Sequence, residues 1–175
     1  MTTMFGPEHD ELLAHFRKRT GREAQREDLK DVVRIHDRAF LDRLITMDIG
    51  AEKALALRLI PLVFVAWADG APDAREREAV LRAAGEQGLA ALPVSRDILK
   101  GWLVKEPDTC LLERWKSEVQ RVWNRFTTDE QLQMRHNLLG SARDVATAAG
   151  SFLGITSGIS AREKAVLEEL NRIVT

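Results

Sequence analysis

Three carboxylates stand in one short stretch, AWADGAPDAREREAVL (Ala66 to Leu81): Asp69, Asp73 and Glu76. Oxygen-only donors at this spacing suit a hard cation such as Ca²⁺ or Mg²⁺, which takes carboxylate and carbonyl ligands. The same residues also suit helix punctuation. Asp before Gly favours a tight turn, and Asp73 with Glu76 three residues on forms a capping box. The loop is not an EF-hand: counted from Asp69, the sixth and twelfth positions that need Gly and Glu hold Ala74 and Val80. A second chemistry is carried by His15, the pair His36-Asp37 and Asp69. His and Asp side chains that converge on one or two metals can activate water for hydrolysis. Against it, His36 shares a stripe with Leu29, Val33 and Phe40, which predicts a buried, hydrogen-bonded core histidine far from His15. No GxSxG, Walker, GxGxxG or HExxH pattern is present.

The chain that must position these groups has 175 residues, enough for one domain with a sizeable core. It is 45% hydrophobic and 30% charged, with a formal net charge of -1. That balance supplies no electrostatic reason for nucleic acid or an anionic membrane as a partner. Basic residues from Arg17 to Arg34 alternate with Glu23, Glu27, Asp28 and Asp31, as on a solvated helix face. The lone Cys110 builds neither an intramolecular disulfide nor a zinc site, so a reducing, cytoplasmic setting is expected. The N-terminal MTTMFGPEHDELL lacks the pattern of a signal peptide. The longest apolar run, Leu59 to Ala68, is bracketed by Arg58 and Asp69 and falls short of the roughly 18 to 20 residues of a membrane span.

Hydrophobic spacing predicts helices almost throughout and no sheet. Glu8 to Arg19 is one, with Leu12, Leu13 and Phe16 on a face. Asp28 to Met47 reads as a single helix ending near Gly50. Leu59 to Trp67 is expected to be the most buried segment, with Pro61 kinking its helix or displacing the start. Asp73 to Glu86 follows, then a short helix capped by Ser95 and running to Val104. Asp108 opens a helix carrying Leu111, Trp115, Val119, Val122 and Trp123. Thr127 or Thr128 opens a long one with Leu132, Leu139, Ala142, Val145, Ala146 and Ala149 inward. After GITSG, a last helix turns Val166, Leu167, Leu170 and Ile173 to the core. Packing explains Trp67, Trp115 and Trp123, while Trp102 could mark a partner surface.

An internal echo links DGAPDARER (Asp69 to Arg77) with SGISAREK (Ser157 to Lys164). Each places a glycine in a turn, then a cap residue, then a glutamate three residues later: Asp73 with Glu76, Ser160 with Glu163. Each follows a helix rich in small apolar residues and precedes Ala-Val-Leu. VAWADGAPDARERE (Val65 to Glu78) resembles the signature of TerB-like domains, the all-helical family named from tellurite-resistance operons, and AAGSFLGITSGISAREKAVLEEL is similar to its second-half counterpart. The resemblance implies a single bundle of about seven to eight helices in two similar halves, residues 48–175, with residues 1–47 a helical extension packed upon it. It also implies a stress-response setting and an acidic metal-binding surface; the oxygen donors of Asp69, Asp73 and Glu76 would supply it here, and their chemistry suits Ca or Mg. Ser157 stands where tandem copies often carry aspartate, which breaks the symmetry of a two-carboxylate site. The expected protein is therefore a non-enzymatic binding or sensing module. The alternatives are the HD-type phosphohydrolase and a metal-free scaffold for a protein partner, without nucleic acid or a transmembrane segment.

Overall fold

A helix that is apolar on every side has to be enclosed, and α4 (Ala51–Ala66) is such a helix. Leu55, Leu57, Leu59, Ile60, Leu62, Val63 and Val65 are all buried, while the end of the expected segment, Phe64 and Trp67, is only half-buried. The computed structural model describes residues 4–18, 21–89, 92–152 and 158–175. Around α4 pack α2 (Arg22–Val33), α6 (Pro93–Val104), α7 (Thr109–Trp123), α8 (Thr128–Phe152) and α9 (Ala161–Ile173). Helix α1 (Asp10–Lys18), led by a 3-10 turn Pro7–His9, also touches α4; α3 (Arg38–Thr46) packs on α2, and α5 (Ala74–Glu86) on α6 and α8. Among the described residues there is no strand, and no helix is long and apolar enough to cross a membrane. Leu29, Val32 and Phe40 from the first part of the chain share one hydrophobic core with Leu59, Trp115 and Leu139.

Pro61 neither breaks α4 nor moves its start, which Gly50 sets at Ala51. A proline lacks the N–H that would bond the carbonyl four residues back, so the Leu57 oxygen is orphaned. The indole N–H of buried Trp115 donates to that oxygen at 2.8 Å. One tertiary hydrogen bond thereby avoids the roughly 1–3 kcal/mol of an unsatisfied buried carbonyl.

The single helix expected over Asp28 to Met47 is two helices. Arg34 takes a left-handed backbone (φ 56°) and ends α2, and Asp37 accepts from the Phe40 amide at 3.0 Å to start α3. Arg34 holds this conformation with its side chain laid across Gly88, where a Cβ would collide with the guanidinium. The carbonyls freed at the end of α2 are taken from outside: Arg58 donates to Val32, and the Asn137 amide donates to Val33 at 2.7 Å. Arg58, which the sequence places at the edge of the apolar run, is thus inside the bundle at 4% exposure.

Three more expectations are corrected. Ser95 is not the cap of α6, whose N-cap is Leu92; its hydroxyl is buried and donates to the Leu89 and Leu92 carbonyls. Trp102 is no free surface, being buried against a stacked Phe5 and an edge-on His9, with its carbonyl accepting from the Trp67 indole at 2.8 Å. Leu132 points outward at 59% exposure, and Met134 and Leu138 enter the core in its place. The small residues Ala142 and Ala146 are fully buried where α8 meets the bundle; the side chains of Leu12 and Ala149 and the GITSG turn up to Ser157 lie outside the described residues.

Candidate functional site

The two halves of the sequence echo meet in space. Helix α4 closes on Trp67, whose carbonyl accepts from the Gly70 amide at 3.0 Å. Gly70 has φ 116°, a conformation that glycine adopts without the strain a Cβ would bring. The turn leaves Asp69 exposed, buries Pro72, and delivers Asp73 to the N-cap of α5. One Asp73 oxygen accepts from the Arg75 and Glu76 amides at 2.7 and 2.9 Å, and Glu76 reaches back to the Asp73 amide at 2.6 Å. Those amide donors, Glu76's first, hold the Asp73 carboxyl below the usual aspartate value. Asp73 is a cap, as its spacing predicts.

The second box has the same form. Ser160 accepts from the Glu163 amide at 3.1 Å, and Glu163 accepts from the Ser160 amide at 2.7 Å. Its surroundings differ. Glu163 is 7% exposed, and its carboxyl is pushed above the ordinary glutamate value, first by burial and then by the negative charges of Asp69 and Glu76, against the stabilising bonds from Ser160. The fold therefore brings Asp69 and Glu76 of the first copy within electrostatic reach of Glu163 of the second.

Of the three expected ligands, Asp73 and Glu76 together form the capping box of α5, and Asp69 and Glu76 lie within electrostatic reach of Glu163. Glu163 is the member that spacing within one copy does not reveal. The echo itself carried the signal, since Glu163 is the counterpart of Glu76. In kind, this donor set suits a hard cation: all oxygen, with one oxygen each of Glu76 and Glu163 outside the capping bonds. In position, no three His, Cys, Asp or Glu side chains among the described residues stand ready to share one ion.

The histidine constellation is placed as follows. His36 is exposed in the link between α2 and α3, not buried on a core stripe, because the chain leaves the helix at Arg34. Asp37 beside it is the cap of α3. His36, Asp37 and Asp69 form no three-residue metal cluster, and the His15 side chain lies outside the described residues. Among the described residues the buried histidine is His9, set among aromatic rings. Compared with known proteins, the chain matches no family model, no curated protein and no solved structure.

Proposed function

We propose that the chain is a non-enzymatic binding module of the TerB-like kind whose binding point is the junction of Asp69, Glu76 and Glu163, occupied by a hard divalent cation. One observation carries this reading: a buried glutamate lies within electrostatic reach of two further carboxylates, and its own cap hydrogen bonds are what oppose the rise in its pKa. The cation would supply positive charge where three acids repel one another. Asp69 is the adjustable member, exposed and without a hydrogen bond or ion pair among the described residues, so its rotation completes the donor set at little cost. Asp73 stays outside, holding α5 in place.

The test is a thermal melt of wild type, Asp69→Asn and Asp73→Ala, with and without millimolar Ca²⁺, Mg²⁺ or Mn²⁺. An ion that binds only the folded chain raises its melting temperature; at a hundredfold excess over its Kd the gain is about 2.7 kcal/mol. Wild type should respond, Asp69→Asn should respond less while melting normally without ions, and Asp73→Ala should be destabilised with or without ions. A wild-type melt indifferent to all three cations overturns the reading and leaves a metal-free scaffold whose acids only punctuate helices.

A further inference from the structure

A concavity of about 200 Å³ lies along the outer face of α8, away from the carboxylate junction in composition and in residues. Leu132, Arg135, His136, Leu139, Gly140 and Arg143 recur at helical spacing and form its floor, and Asn171 of α9 closes one side. Two guanidinium groups and an imidazole line it, and among the described residues no carboxylate does. Among the described residues, several arginines elsewhere are set against acids, Arg22 and Arg26 against Asp42, Arg43 against Glu130 and Arg121 against Glu118, while others such as Arg58 are not. Here Arg135, His136 and Arg143 have no ion pair among the described residues. We propose that this groove is a binding site for a small phosphate-class oxyanion.

Arg135 carries the argument. Its Nε and Nη2 both donate to the Asn171 Oδ1, at 3.1 and 2.7 Å, and the residue is half-buried. The acceptor is a neutral amide, so the plane of the guanidinium is fixed while its charge is left uncompensated. A guanidinium held this way loses little rotamer freedom on meeting an anion, and its remaining N–H groups match the spacing of phosphate oxygens. Arg143 lies on the same face, and the His136 imidazole lines the groove between them. Gly140 adds no side chain to the floor: a Cβ there would stand 3.7 Å from the His136 ring. The volume is below the roughly 300–1,000 Å³ of pockets that enclose drug-sized molecules, so the group bound is one phosphate with at most a small organic body. Leu132, exposed at the groove's end, and Leu139 give that body an apolar contact. Two guanidinium groups in one short groove also fall short of the track that a nucleic-acid backbone needs.

The experiment titrates the purified chain with inorganic phosphate and, separately, with glycerol 3-phosphate, against chloride at matched ionic strength. Amide and side-chain NMR shifts at Gly140, His136 and Arg135 are the readout. Saturable shifts confined to the groove, with either phosphate and not with chloride, are expected. Tighter binding of the monoester identifies an organic phosphate as the ligand, and equal binding identifies the free ion. Arg135→Gln should weaken the interaction about tenfold, the loss of one hydrogen bond to a charged group. Arg143→Gln, on an exposed side chain, gives the same reading should Arg135→Gln fail to fold. No saturable shift, a response shared with chloride, or unchanged affinity in the folded variants overturns the proposal. The groove shares no residue with the carboxylate junction, so either site can fail without the other.

Discussion

Exchanging Arg58 for methionine should leave the folded chain close to wild type in stability, although it deletes a charged group from the centre of the bundle. Arg58 sits in α4 at 4% exposure, donates to the Val32 carbonyl and, at 3.3 Å, to the Ser141 hydroxyl, and its Nε finds no partner. No carboxylate opposes it among the described residues. Burial, reinforced by the positive charge of Arg34, lowers its pKa from 12.5 to about 10. At about 1.4 kcal/mol per pKa unit, the charged form costs the fold on the order of 3 kcal/mol at neutral pH. Because the folded value is the lower one, that cost is present in full at neutral pH and lifts only as pH rises through about 10.

Methionine fills most of the same volume without a charge. It also abandons the Val32 oxygen, a loss of about 1–3 kcal/mol for a buried carbonyl. The two terms nearly cancel, so Arg58→Met should lie within about 2 kcal/mol of wild type by urea denaturation with an unchanged slope. Arg58→Ala, which removes the methylenes as well, should lose about 2–5 kcal/mol. A loss of more than about 3 kcal/mol in Arg58→Met would refute the reasoning, because that is the signature of breaking a compensated buried ion pair.

Two pH dependences follow from the same structure. Glu163 has a raised folded value, so its contribution to stability is full below 4.5 and is lost as pH rises through the raised value. Glu163→Gln keeps the capping box, which accepts Gln, and should be flat there; stability of wild type relative to the variant should fall from pH 4.5 towards neutrality, and a constant difference would sink the assignment. His9 is shifted the other way: burial lowers it, against the charges of Glu8 and Asp10 and the Gly6 carbonyl. Its contribution is full above 6.5 and is lost as pH falls through the lowered value, so acidification should loosen the Phe5–His9–Trp102 cluster. Hydrogen exchange around Trp102 should rise on acidification in wild type and not in His9→Phe; equal behaviour of the two would exclude His9 as the cause.

Where the reading from residue types succeeded, the deciding contacts are local. Asp73 with Glu76, Asp108 with the Cys110 amide, Thr127 with Glu130 and Ser160 with Glu163 each join residues two or three apart, so cap and helix start are written in one short window. The enclosure of α4 was equally legible, since an all-round apolar helix has nowhere to go but inside. The all-helical class follows from spacing of the same kind.

What sequence spacing could not show depends on partners far along the chain. An arginine rarely ends a helix in the left-handed region, where glycine is usual. Arg34 does so because Gly88 leaves room for its side chain, and the break it makes carries His36 from the expected core stripe to the surface. Trp102 and Leu132 have unremarkable local contexts; what each meets is set by the N-terminal segment and the turn of α8 about its axis. The acidic stretch from Asp69 to Glu76 belongs to both domains of explanation. Residue types and spacing alone determined that Asp73 would cap and Gly70 would turn, because backbone donors two or three residues away decide it. Only the tertiary structure decided that Glu163 would be buried within electrostatic reach of Asp69 and Glu76, because charge acts through space and burial is a property of the whole bundle.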